Sequence, residues 1–292
     1  MLHILRTFFY EDVLKTIDEK YKDLVFSEFE KHFTYANIFE TPQYYNLFSF
    51  CKNPDYKLYE KLHESKKYEI VKYLINEVYE DNYNPDLVLL LYGYITSITF
   101  QNMIDDYVNS NLKISNIHTK KARMRKYSNF SQKVEAQFYY ERHYRKISKH
   151  KLDTSKIVVS EKSSEVIRNM IAKIYYFSYG KEVFLKGLNT FYKYQNKNYH
   201  SSRFIEIMIV KIKESITRSK KYSATTIFNT NKTILKDYLN KENKKWKRKE
   251  DVSSFYDLYE KIVKETAYLL NVISEKIYYK KKNDKEIMLL IK

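Results

Sequence analysis

Histidines, carboxylates and one cysteine are the side chains of this 292-residue sequence that could hold a metal or attack a substrate. His143 and His150 lie seven residues apart with Glu141 beside them, a spacing that puts both imidazoles near one face of a helix. Arg142, Arg145, Lys146, Lys149 and Lys151 surround them, and that positive field repels cations, which favours a solvated basic face. Cys51 has no partner for an intramolecular disulfide and no histidine motif to activate it as a nucleophile. It points to a reducing compartment. Neither a Gly-x-Ser-x-Gly elbow nor a Walker phosphate loop occurs.

The other chemistry on offer is polyanion binding. The net charge is +17, and the stretch from Tyr107 through Val134 carries seven Lys or Arg and no acid. Lys120, Lys121, Arg123 and Arg125 are the candidate contacts there for nucleic acid or an anionic membrane surface. Tyrosines interleaved with lysines, as in Tyr192-Lys193-Tyr194 and Tyr278-Tyr279-Lys280, could stack bases, but such side chains more often cover a core edge. Arginine supplies only nine of the 53 basic residues, and the chain has 31 tyrosines and 17 phenylalanines. That composition follows A/T-rich codons, so codon usage is read as the main source of the charge.

The elements that must position these groups are helices. Three glycines and three prolines in 292 residues argue against a many-stranded sandwich, a Rossmann fold or a P-loop enzyme, each of which needs glycine at fixed places. Spacing predicts a first helix over Tyr10–Phe33, a helical turn over Tyr44–Phe50 after Thr41-Pro42-Gln43, and a helix from Tyr56 to about Glu80. Asn84-Pro85-Asp86 starts the next, to about Val108, apolar on nearly every side in its first half and therefore central. Gly93 inside it implies close helix approach, since glycine there costs about 1 kcal/mol relative to alanine. After a basic connection at about 109–133, further helices are expected over Gln132–Ser148, Glu161–Gln195 (one or two), Ser202–Arg218, Thr225–Asn240 and Ser253–Tyr279, the last capped by Ser253 with Ser254. The expectation is a single all-α domain over 1–292, eight or so helices on one core. The short apolar start followed by Glu11 and Asp12 does not suit a secretory signal, and no apolar run approaches the ~20 residues of a span, so a cytoplasmic location is expected.

Three stretches together resemble a known helical family. They are Leu58-Tyr59-Glu60-Lys61-Leu62-His63-Glu64; Leu91-Tyr92-Gly93-Tyr94-Ile95-Thr96-Ser97 running to Tyr107-Val108; and Asp237-Tyr238-Leu239-Asn240, then Trp246, then Ser254-Phe255-Tyr256-Asp257-Leu258-Tyr259-Glu260. With Phe8-Phe9-Tyr10-Glu11-Asp12-Val13-Leu14 as an opening helix, they are similar to bacterial zinc-dependent phospholipase C-like proteins, relatives of a group of zinc nucleases.

The resemblance implies a cluster of His and carboxylate ligands that holds zinc and activates water. Most of the implied positions carry something else. The opening histidine is Arg6, the histidine after Gly93-Tyr94 is Ser97, the aspartate four residues on is Gln101, and the following His-Pro is Asp105-Asp106. The aspartate after Thr41-Pro42 reads Gln43 or Tyr44, and the later His-x-x-x-Glu keeps only its acid, Ser131 to Glu135. His63, Asp105 and Glu135 survive as candidate ligands, enough for at most one ion. The plainer alternative has His63 as a partly buried helix histidine and Glu135 as a solvated acid. Ser97, Gln101 and Asp105 would then mark the old pocket as a polar stripe on one helix face.

The expected function is a diverged member without the zinc cluster, no cofactor and no catalysis, acting as a binding or regulatory protein. One alternative is an active metal-dependent phosphoesterase with a reduced zinc site. Another is a basic protein that binds nucleic acid or an anionic membrane.

Overall fold

The computed structural model describes residues 2–26, 31–44, 58, 61–62, 66–112, 120–145, 147, 159–178, 180–199, 208–209, 212, 215–216, 237–241 and 254–279. Every regular element among them is helical, so the chain is an all-α protein. The main helices are α1 (His3–Thr16), α2 (Glu19–Phe26), α3 (His32–Asn37), α4 (Lys67–Glu80), α5 (Pro85–Leu112), α6 (Lys120–His143), α7 (Glu161–Tyr175), α8 (Gly180–Tyr199) and α9 (Phe255–Tyr278), with a 3-10 turn over Ile38–Tyr44. They form two compact units. One takes Met1–Leu5, Gln101–Leu152 and Tyr192–Lys261, and the other Arg6–Phe100, Asp153–Phe191 and Ile262–Lys292.

In the second of these units the first half of α5 is the core element. Leu87 through Tyr92, Tyr94 and Ile95 are all buried, the result its all-round apolar sequence predicts. By length and composition α5 could cross a membrane, but 83% of its most apolar window is buried against the rest of the chain. Gly93 provides the expected close approach: a Cβ there would lie 2.3 Å from the Tyr35 carbonyl oxygen. Gly187 of α8 plays the same part against the 3-10 turn, with Thr41 O at 2.2 Å from its would-be Cβ. Helix α4 packs on α7, and α7 presents Val166, Ile167, Met170, Ile171 and Ile174 as one buried face.

The other unit is held by aromatic rings. Tyr107 of α5, Phe138 of α6 and Phe255 of α9 meet edge to face, with Phe255 4.9 Å from Tyr107 and 5.8 Å from Phe138 between centroids. Ser254 caps α9 in a reciprocal box. Its hydroxyl accepts from the Asp257 N–H at 3.1 Å, and the Asp257 carboxylate accepts the Ser254 N–H at 3.0 Å.

Several boundaries differ from the pattern, each for a local reason. The predicted first helix is two, α1 and α2, broken at Ile17-Asp18, where the Asp18 N–H donates to the side chain of Asn271 instead of continuing the ladder. The helix expected from Tyr56 is interrupted by Lys66, whose backbone is left-handed (φ 58°) and whose ammonium reaches the Ile174 carbonyl at the end of α7. The basic connection expected at 109–133 is helical at every described residue, up to Leu112 in α5 and from Lys120 on in α6. The end of the helix predicted to Asn240 is not helical over Asp237–Asn240; Asn240 is left-handed (φ 51°), and Leu239 accepts the Phe255 N–H. The turn expected at Tyr44–Phe50 lies outside the described residues except for Tyr44, the last residue of the 3-10 turn.

Candidate functional site

Ser97, Gln101 and Asp105 lie one helical turn apart along α5, as a polar stripe requires. Ser97 falls in the same unit as the first half of the helix, and the other two in the aromatic unit. Their roles differ. The Ser97 hydroxyl is fully buried and has no hydrogen-bond partner among the described residues. Gln101 and Asp105 are half-buried and joined: the Gln101 amide donates to Asp105 Oδ1 at 2.9 Å. Tyr127 on α6 donates its hydroxyl to the same oxygen at 2.6 Å and accepts from Gln101 at 3.3 Å. A short bond from a phenol to a carboxylate is charge-assisted and fixes the Asp105 rotamer.

Glu135 is not a solvated acid; its burial corrects that expectation. It is 1% exposed, on α6. One carboxylate oxygen accepts the N–H groups of Ile4 and Leu5 at 2.9 and 3.1 Å. Those are orphan donors at the start of α1, where the helix dipole also favours a negative charge. Glu135 therefore supplies from a distant helix the cap that the local sequence lacks, which is why α1 begins as early as His3.

Arg6, the residue at the implied opening histidine, is 1% exposed and forms an ion pair with the equally buried Glu40 at 3.0 Å. Its guanidinium also lies 5.1 Å from the centroid of Phe100. The acid that the resemblance implies after Thr41-Pro42 is missing at Gln43 and Tyr44, and Glu40, just before that turn, is the carboxylate that pairs with Arg6. The hint was the setting of that residue, a single charge in Ala36-Asn37-Ile38-Phe39-Glu40-Thr41.

A second carboxylate centre was visible in the sequence only as a helix start. Asp86, 6% exposed, accepts from the Lys31 ammonium at 2.8 Å and the Tyr35 hydroxyl at 2.5 Å on one oxygen. On the other it accepts from Ser163 at 2.7 Å and from Ser160. Ser160 is also the N-cap of α7. Burial pushes the Asp86 carboxyl up, and the donors from Lys31, Ser160, Tyr35 and Ser163 outweigh it and leave the group below its ordinary value. With donors on both oxygens, Asp86 ties the starts of α5 and α7 to α3.

His63 lies outside the described residues, as does His150. Exposed His143 ends α6; burial and then Arg145 and Arg142 lower its pKa. Its neighbour Glu141 accepts from Tyr256 at 2.8 Å and pairs with Lys241. Lys120, Lys121, Arg123 and Arg125 all fall on the first two turns of α6, a start with no acid in it. Arg123 is exposed there, and the side chains of the other three lie outside the described residues.

Among the described residues, no three His, Cys, Asp or Glu side chains gather into a metal-holding group. Ser97 and Gln101 are neutral, and Asp105 and Glu135 each already accept two hydrogen bonds at one oxygen. The described donor set does not fit a zinc cluster. No protein family, curated protein or solved structure matches the chain.

Proposed function

We propose that the chain is a binding or regulatory protein on a zinc-dependent phospholipase C-like helical frame, with its metal-holding positions converted into internal contacts. The observation that carries this reading is Arg6. Where the resemblance implies a histidine ligand, a fully buried cation stands with its own counter-ion, Glu40. A guanidinium stays protonated and has no lone pair to give a metal, so this position offers no ligand. Gln101, Asp105 and Glu135 support the reading, since each serves a neighbour within the protein.

Elemental analysis of the purified full chain tests the proposal. The expected result is no stoichiometric zinc. A stoichiometric signal abolished by His63→Ala would overturn the proposal and leave the alternative, a reduced metal site at His63, Asp105 and Glu135, to be tested for phosphoesterase activity.

The acid-free start of α6 favours a second reading, in which Lys120, Lys121, Arg123 and Arg125 bind a polyanion such as nucleic acid. Counterion release makes such binding fall steeply with salt. Replacing all four by alanine should then abolish it, and unchanged affinity refutes this reading.

A further inference from the structure

Ten large hydrophobic side chains are exposed among the described residues, and six are tyrosines, whose hydroxyls tolerate water. The other four, Met208, Ile209, Ile212 and Ile216, all fall within nine residues, at 44, 46, 52 and 68% exposure. Each of the four is helical. Their spacing in the sequence is one that helical periodicity of 100° per residue would bring within an arc of about 100°. Three isoleucines and a methionine exposed to water within nine residues call for something that covers them.

Charge selects the occupant. Lys211 and Lys213 flank Ile212 in the sequence, and residues 203–221 hold six Lys or Arg against two Glu, a net of +4. A second copy of a chain carrying +17 would bring like charge to like charge. An anionic lipid surface accepts both features, because its acyl boundary takes the isoleucines and its headgroups take the lysines. We propose that the Met208, Ile209, Ile212 and Ile216 face docks on an anionic membrane. The inference uses neither the metal-free reading nor the Lys120 to Arg125 face.

The test is cosedimentation of the full chain with vesicles of phosphatidylcholine alone, or with about one-third phosphatidylglycerol. Binding is expected only to the anionic vesicles. Ile209→Ser/Ile212→Ser/Ile216→Ser should weaken it about a hundredfold or more with an unchanged helical circular dichroism spectrum. The Lys120, Lys121, Arg123 and Arg125 alanine variant should still bind, which separates this face from the second reading above. A nitroxide on Ile216→Cys in a Cys51→Ser chain should become lipid-immersed, whatever the folding of the triple variant. The proposal is overturned if neither vesicle is bound, if the triple variant binds as well as the parent, or if the nitroxide stays in water. It is equally overturned if the chain dimerises and the triple variant is monomeric, because a second copy then covers the face.

Discussion

Arg6 and Glu40 face each other at 3.0 Å with both side chains 1% exposed, while the Arg6 guanidinium also lies 5.1 Å from the centre of the Phe100 ring. Taking two charges out of water is costly, and the pair recovers that cost through its own attraction. Removing one partner strands the other. Glu40→Ala should therefore destabilise the protein by about 3–5 kcal/mol, whereas Arg6→Met/Glu40→Leu should cost far less or nothing. Urea unfolding of both variants checks this, and equal losses would show that the pair itself stabilises the fold.

His32 provides a pH dependence with a definite sign. The ring is 1% exposed and meets Tyr10 edge-on. Burial, and secondarily Lys15, lowers its pKa from 6.5 to about 4. The unfolded chain thus binds a proton that the folded chain refuses between those values. Stability from neutral His32 is complete above pH 6.5 and is lost as pH falls toward 4, by about 3 kcal/mol in all. Asp86, held below its ordinary value, adds a loss only at still lower pH. Urea midpoints from pH 7.5 to 4 should fall in the parent and flatten in His32→Phe.

Gly93→Ala sets helix propensity against packing. Alanine gains about 1 kcal/mol in a helix interior. Its Cβ would stand 2.3 Å from the Tyr35 carbonyl oxygen, a backbone atom with little freedom to retreat. Packing should win, with a net destabilisation of about 1–3 kcal/mol in thermal or urea unfolding.

Tyr176 is 89% exposed and left-handed (φ 55°) where α7 ends. A non-glycine residue there costs about 1–2 kcal/mol, only part of which glycine returns through its freer unfolded chain. Tyr176→Gly should raise stability by about 0.5–1 kcal/mol, read as an upward shift in melting temperature.

What the sequence made legible were features decided locally. Scarce glycine and proline declared the helical class, Ser253 with Ser254 before Phe255 marked the start of α9, and Gly93 announced a close contact. Illegible were features whose halves lie far apart in the chain. Asp86 reads as an ordinary helix start until Ser160 and Ser163 arrive from 74 and 77 residues away. Glu135 resembled a surface acid because nothing near it in sequence needs a cap. Lys66 just before α4 and Tyr176 just after α7 are left-handed where glycine or asparagine is the usual residue, so neither boundary carries its ordinary mark in the sequence.

The bond from Ile4 to Glu135 spans 131 residues. During synthesis the start of α1 leaves the ribosome long before its cap exists, and at about 5–20 residues per second the wait is on the order of ten seconds. Throughout that interval the donors at the start of α1 are left to water, beside Leu2, Ile4 and Leu5, side chains that the finished protein keeps dry. The start of α1 therefore cannot reach its finished form until α6 has been made, a non-local dependence that puts the closing of this contact among the slower steps of folding.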